Sequence, residues 1–162
     1  MRALPLLLCC LLIAPAAAAN PFAEGPVTWR GEGIFRRAID AAPEGMRCRS
    51  ETEPRENGFF LSGRCASAAS SATLELDVAF DGGTAILHLT TSLQDQPLTL
   101  SGFHTEEGLA AEAAQTVLID EVEAEFRLQI NYTEEGGFVL TEFVTPVAGG
   151  ERRELVQIRF ER

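Results

Sequence analysis

The chain has 162 residues, 46% of them hydrophobic and 23% charged, a composition that suits one globular domain with a sizeable core. Its 13 basic residues are all arginine, and with 24 acidic residues the formal net charge is −11. Residues 67–150 hold fourteen of the acids and one arginine, a balance that repels a phosphate backbone and argues against nucleic acid as a partner. The excess acid is typical of a solvated face.

The first nineteen residues are predicted to be a cleavable signal peptide. A positively charged N-terminus, Met1-Arg2, is followed by an apolar run over residues 3–13 and by an A-x-A cleavage site that ends at Ala19. This run is shorter than the roughly 20 residues of a membrane-spanning helix, so no integral membrane segment is expected after cleavage. Lipid attachment at Cys9 or Cys10 is an alternative, but neither cysteine follows a small residue. We therefore expect residues 20–162 to be one domain that is soluble in the periplasm of a bacterium or secreted.

Two cysteines remain after processing, Cys48 and Cys65, and an even number in an exported domain indicates a disulfide. The turn signal Pro54-Arg55-Glu56-Asn57-Gly58 lies midway between them, so a hairpin about this turn places the two cysteines opposite each other. No C-x-x-C motif is present and no histidine is nearby, which favours a structural bond over a redox or metal-binding pair.

Apolar and polar residues alternate with a period of two through most of the mature sequence, the pattern of half-buried β-strands. In Glu121–Tyr132, the even positions are apolar and the odd positions polar. Hairpins are indicated at Asp81-Gly82-Gly83 and at Glu134-Glu135-Gly136-Gly137. Strands are predicted over Val27–Phe35, Met46–Thr52, Phe59–Cys65, Thr73–Phe80, Thr84–Ser92, Leu98–Phe103, Glu121–Tyr132, Phe138–Thr145 and a last segment with Val156, Ile158 and Phe160.

The predicted fold class is all-β. Successive strands joined by short glycine-rich turns favour an antiparallel up-and-down meander that closes into a barrel of about eight to ten strands, because closure removes the sheet edges. A two-layer β-sandwich is the alternative. Residues 105–118 are left open between a short helix near 105–115, a lid and another strand, since their alanines and glutamates favour helix whereas Gly108 does not.

The segment Trp29-Arg30-Gly31-Glu32-Gly33 resembles the opening of lipocalin-like (calycin) and nitrobindin-like barrels. In such barrels an aromatic residue closes the floor and glycines let the first strand bend, and the strand layout extends this resemblance over residues 26–161. The resemblance implies an internal site defined by cavity shape. Nitrobindin-like proteins hold haem through a histidine near the C-terminal end, but no histidine follows His104, so neither haem nor any other cofactor is expected.

No catalytic or metal-binding motif is apparent. The two histidines, His88 and His104, belong to no H-E-x-x-H or other closely spaced ligand pair. The sequence also lacks a G-x-S-x-G elbow, a P-loop and a dinucleotide-binding fingerprint. We therefore expect a non-catalytic protein without a bound metal.

Architecture is thus the main guide to function. A barrel of this size has either a filled interior or room for one small ligand. The first hypothesis is an exported protein that binds a small apolar or amphipathic molecule inside the barrel. The alternative is an acidic module of the cell envelope that binds a protein partner or a cation through its acidic face, without an internal ligand. The inward residues predicted to contact a ligand are Trp29, Phe35, Leu76, Val78, Phe80, Phe126, Leu128, Ile130 and Phe160.

Overall fold

The computed structural model describes residues 20–162 apart from positions 93 and 95. The predicted signal peptide, residues 1–19, lies outside the described residues. Within the described part there is no helix, and so none that could cross a membrane. The strands are β1 Val27–Phe35, β2 Glu44–Arg55, β3 Gly58–Ala66, β4 Ser71–Asp81, β5 Thr84–Thr91, β6 Leu98–Thr105, β7 Gly108–Ala113, β8 Val117–Ile119, β9 Val122–Tyr132, β10 Phe138–Pro146 and β11 Arg153–Glu161.

Every strand pairs antiparallel with its neighbours, and most neighbours are consecutive in the chain. The sheet runs from β10 through β11 and β1 to β7 and then to β9, and pairing of β9 with β10 closes the ring. Ten strands form this ring, and β8 is an additional short strand on β9. The predicted all-β meander and barrel are therefore confirmed, and closure rules out the two-layer sandwich.

The segment 105–115 contains no helix, since residues 106–107 form a turn and Gly108–Ala113 form β7, so the helical alternative is wrong. In β7, Leu109 pairs with His104 of β6 on one side and with Ile130 of β9 on the other. Both edges of the segment are thus hydrogen-bonded, and Leu109 and Ala111 are buried. This tertiary pairing overrides the weak helix preference of alanine and glutamate, because a helix this short is only marginal alone.

The disulfide between Cys48 and Cys65 is present, as the position of the turn predicts. The two cysteines are directly opposed in the β2–β3 hairpin, whose register ends with the pair Arg55 and Gly58. Both cysteines are buried near the end of the barrel at which β3 finishes. The bond therefore fixes the register of two neighbouring strands from inside the core.

The two glycines of the opening motif allow β11 to approach β1 closely. A side chain at Gly31 would place its Cβ 2.6 Å from the ring of Phe160, and one at Gly33 would collide with the backbone carbonyl of Gln157. Phe160 is completely buried at this position. The glycines of the motif thus make room for an aromatic side chain and for the backbone of the closing strand.

We expect Gly31→Ala to lower the free energy of unfolding by about 1–3 kcal/mol, the usual cost of overpacking a core. The added methyl must displace the ring of Phe160. The control is Gly45→Ala in β2, where a Cβ would meet nothing within 4 Å. This control should change the stability by no more than about 0.5 kcal/mol. Urea denaturation of the two variants measures their free energies of unfolding. Equal values for Gly31→Ala and Gly45→Ala would contradict the prediction.

The two ends of the barrel are built differently. At one end the hairpin turns are short, such as Gly82-Gly83 between β4 and β5, where Gly82 has a φ of 59°. At the other end the connections are longer, as in residues 36–43 between β1 and β2 and residues 147–152 between β10 and β11. We call these the floor and the mouth of the barrel, since the first is packed solid and the second contains a cavity.

Candidate functional site

The floor is closed by a cluster of aromatic side chains. Phe22, which precedes β1, stacks on Phe59 with their ring centroids 3.9 Å apart. Phe138 stacks on Phe160 at 4.6 Å and meets Trp29 edge-on at 5.1 Å. All five side chains are buried. Such close packing leaves this end of the barrel without space for a ligand.

Two polar side chains of the floor, those of Trp29 and Arg162, have partners within the chain. The indole Nε1 of Trp29 donates a hydrogen bond of 2.8 Å to Oγ1 of Thr52, which is also buried. The guanidinium of Arg162 lies 5.6 Å from the centre of the Trp29 ring and forms a 3.2 Å ion pair with Glu24. The segments before β1 and after β11 therefore seal the floor together.

A cavity of about 300 Å³ occupies the mouth of the barrel. This volume is at the lower end of the range of small-molecule sites, roughly 300–1,000 Å³. Polar residues of the loops surround its entrance, among them Arg36, Arg37, Gln94 and Asp120. The apolar side chains of the wall include Phe35, Met46, Leu74, Leu89, Phe126 and Leu140.

Two consecutive residues of β11, Leu155 and Val156, both line this cavity and are both buried. Consecutive residues of a regular strand point to opposite faces. Here the pairing with β10 shifts, because Glu142 faces Val156 whereas the next residue, Phe143, faces Glu154. This bulge in β11 widens the apolar wall on the side of the cavity that contains Glu142.

Glu142 is the one acidic residue of β10, and it points into the barrel. It lies opposite Leu128 of β9 and Val156 of β11, and it alternates with the buried Leu140 and Val144. Among the described residues, no hydrogen bond or ion pair engages its carboxyl. Burial penalises the ionised form and raises the pKa of Glu142 to about 7. The cavity therefore contains a carboxyl group that changes its charge near neutral pH.

The two arginines at the mouth already have partners. Arg37 forms an ion pair of 2.8 Å with Glu44, and its hydrogen bond lowers the pKa of that carboxyl. Arg36 donates a hydrogen bond of 2.6 Å to the backbone carbonyl of Ala41. Both guanidinium groups thus hold the loop between β1 and β2 in place, and neither pairs with the carboxyl of Glu142.

A strained turn places a second carboxyl at the entrance. Asp120 and Glu121 connect β8 to β9 with φ angles of 49° and 66°, values that side chains other than glycine, asparagine and aspartate seldom adopt. Asp120 lines the entrance of the cavity. The tight connection is possible because β8 pairs with β9 directly, Ile119 opposite Val122.

The structure distributes the predicted ligand-contact residues over three layers. Phe35 and Phe126 line the cavity. Trp29 and Phe160 belong to the aromatic floor, and Phe80 is partly buried beside it. The remaining four, which are buried in the packed interior and do not line the cavity, are Leu76, Val78, Leu128 and Ile130.

Sequence reasoning missed Glu142, although a signal was available. In Phe138–Thr145 the even positions are Phe138, Leu140, Glu142 and Val144, so the alternation places an acid in an apolar row. An ionisable residue at a core position of a strand is an exception that indicates a site.

The remaining ionisable groups lie elsewhere. Nδ1 of His88, on the outer face, is 3.2 Å from Oγ1 of Thr99, and Nε2 of His104 is 2.7 Å from the backbone carbonyl of Gly82. The row Glu121, Glu123 and Glu125 is exposed to solvent. Within the described part of the chain, no group of three or more histidine, cysteine, aspartate or glutamate side chains could hold a metal ion.

The closed antiparallel barrel is consistent with the fold that the resemblance to lipocalin-like proteins implies. No protein-family model matches the chain, and a comparison with curated proteins also finds no match.

Proposed function

We propose that this protein is an exported, non-catalytic binding protein of the lipocalin-like kind that holds one small apolar or amphipathic molecule in the mouth of its barrel. The observation that carries the proposal is the cavity of about 300 Å³ above a floor that is packed solid. A barrel filled along its whole length would leave no such space.

The lining of the cavity supports this function. Apolar side chains from the walls, such as Phe35, Phe126 and Leu140, would remove the body of a ligand from water. The cavity is preformed between hydrogen-bonded strands, so binding requires little ordering of the protein. Polar groups at the entrance leave one end of a bound molecule near water, which suits an amphipathic ligand.

The disulfide supports export. A buried bond between Cys48 and Cys65 is typical of proteins that fold in an oxidising compartment such as the periplasm. The predicted cleavage after Ala19 would leave Asn20 as the first residue, two positions before Phe22 of the aromatic floor. Processing at this site would therefore leave the whole barrel intact.

A native mass spectrum of the protein, expressed in full length and isolated from the periplasm of a bacterial host, tests the proposal. We expect a chain that begins at Asn20, contains the disulfide and carries a small molecule that is lost on denaturation. The neutral dye phenylnaphthylamine should bind the emptied protein with a rise in fluorescence. The proposed function would be refuted if the native protein carried no small molecule and the emptied protein caused no rise in the fluorescence of the dye.

Two variants test whether the dye binds in the cavity. Leu140→Phe adds volume to the wall of the cavity and should weaken dye binding, because Leu140 is buried there. Ile86→Phe makes a similar change on the outer face, where Ile86 is 43% exposed, and should leave dye binding unchanged. Equal effects of the two substitutions would show that the dye binds outside the cavity.

A further inference from the structure

We propose that Glu142 is the polar anchor of the cavity and that its ligand is a small organic cation, an amine with an apolar body whose nitrogen pairs with the carboxyl of Glu142. This inference rests on the proposed function and adds the chemical class of the ligand. It starts from the position of Glu142 in an otherwise apolar row of β10, opposite Leu128 and Val156.

The carboxyl of Glu142 is half-buried in the wall of the cavity and has no hydrogen-bond partner or counter-ion among the described residues. Buried polar groups are nearly always hydrogen-bonded, and a buried charge without a counter-ion is costly. The adjacent wall of the cavity, formed by Phe126, Leu140 and Val156, offers only apolar side chains. A ligand that donates hydrogen bonds to the carboxyl would supply the missing partner, and an ammonium group would also supply the missing charge.

The surroundings favour a cation over an anion. The ionisable groups at the entrance are Arg36, Arg37 and Asp120, and the two arginines are engaged with Ala41 and Glu44. Arg37 is neutralised by Glu44, and Arg36 keeps its charge at the entrance, so an anion that enters the apolar part of the cavity would be repelled by the ionised carboxyl of Glu142.

Two further features act in the same direction. The aromatic side chains of Phe35 and Phe126 line the cavity, and aromatic faces attract organic cations. The net charge of −11 also raises the local concentration of cations near the molecule. The position of Glu142, the aromatic lining of the cavity and the negative net charge of the protein all favour an organic cation as the ligand.

Three probes that differ only in their polar group test the inference: phenylpropylamine, phenylpropanol and phenylpropanoate, each measured by displacement of phenylnaphthylamine. For the unaltered protein we expect the amine to bind at least about tenfold more tightly than the alcohol, and the acid to bind most weakly. In Glu142→Gln the amine should lose this advantage, because the amide cannot provide a counter-charge.

The dependence on pH provides a second readout. Burial raises the pKa of Glu142 to about 7, so the ionised fraction grows about tenfold between pH 6 and pH 8. The affinity for phenylpropylamine should rise by about the same factor over this interval, whereas the affinity for phenylpropanol should change little. A merely structural role of Glu142 would not produce this difference.

The control is Glu75→Gln, which removes a carboxyl from the outer face of β4, away from the cavity. It should change the affinity for the amine by less than about threefold. The inference is overturned if this variant weakens amine binding as much as Glu142→Gln does, if the amine and the alcohol bind equally, or if the acid binds most tightly. It is also overturned if the dye binds and no probe displaces it, a result that leaves the proposed function intact.

Discussion

Replacement of Glu142 by glutamine is expected to stabilise the empty protein by about 3 kcal/mol at pH 8. The carboxyl has an ordinary pKa of 4.5, and burial in the barrel raises this value to about 7. Between these two pH values the unfolded chain loses the proton while the folded protein retains it. The folded state therefore binds more protons, and its stability falls as the pH rises from about 4.5 to about 7.

The glutamine side chain is neutral at every pH, like the protonated glutamate, so the variant avoids this loss. We expect a gain of less than about 1 kcal/mol at pH 5 and the full gain only near pH 8. Urea denaturation of the two proteins over this range, without added ligand, provides the measurement. A gain that does not depend on pH would contradict the environment assigned to Glu142.

The control for this prediction is Glu75→Gln on β4, where the side chain is exposed on the outer face. Removal of any negative charge could stabilise a chain with a net charge of −11. If the two variants gained equal stability at pH 8, the effect would belong to the overall charge and not to the cavity.

The largest loss of stability is expected for Phe138→Ala, about 3–5 kcal/mol. Phe138 lies at the centre of the floor, with its ring centroid 4.6 Å from that of Phe160, 4.9 Å from that of Phe22 and 5.1 Å from that of Trp29. Its side chain is completely buried. The truncated side chain would leave a void whose aromatic neighbours belong to different segments of the chain and cannot close it freely.

The matched control is Phe103→Ala on β6, because this phenylalanine is 75% exposed on the outside of the barrel. Its loss should change the free energy of unfolding by no more than about 0.5 kcal/mol. Urea denaturation, followed by the fluorescence of Trp29, the single tryptophan, measures both variants in the same way. Similar losses in the two variants would show that the floor does not stabilise the barrel.

The two predictions concern different halves of one barrel, the packed floor and the mouth that contains the cavity. The floor unites Phe22, Trp29 and Phe138 in a cluster that rigidifies one end. The mouth leaves a cavity open at a cost in stability, since an unpaired carboxyl lies in its wall. Such a cost is common at binding sites, where the ligand supplies the partner that the protein lacks.

Much of the fold was determined locally by the sequence. Alternation in Glu121–Tyr132 identified the inward face of β9, because a strand presents successive side chains to opposite sides. The turn at residues 54–58 predicted that Cys48 would face Cys65, since a hairpin fixes its own register. The glycines at positions 31 and 33 leave room for the close approach of β11, which the structure shows.

Other properties were decided only by the tertiary structure. Residues 108–113 form a strand because β6 and β9 provide hydrogen bonds on both sides, a pairing that local preferences do not contain. The nine residues predicted to point inward lie in the floor, in the packed interior or at the cavity, according to their position along the barrel axis. Alternation predicts which residues point inward, but it does not predict this position. The importance of Glu142 likewise depends on closure, because its carboxyl is half-buried among apolar side chains only when β10 pairs with both β9 and β11.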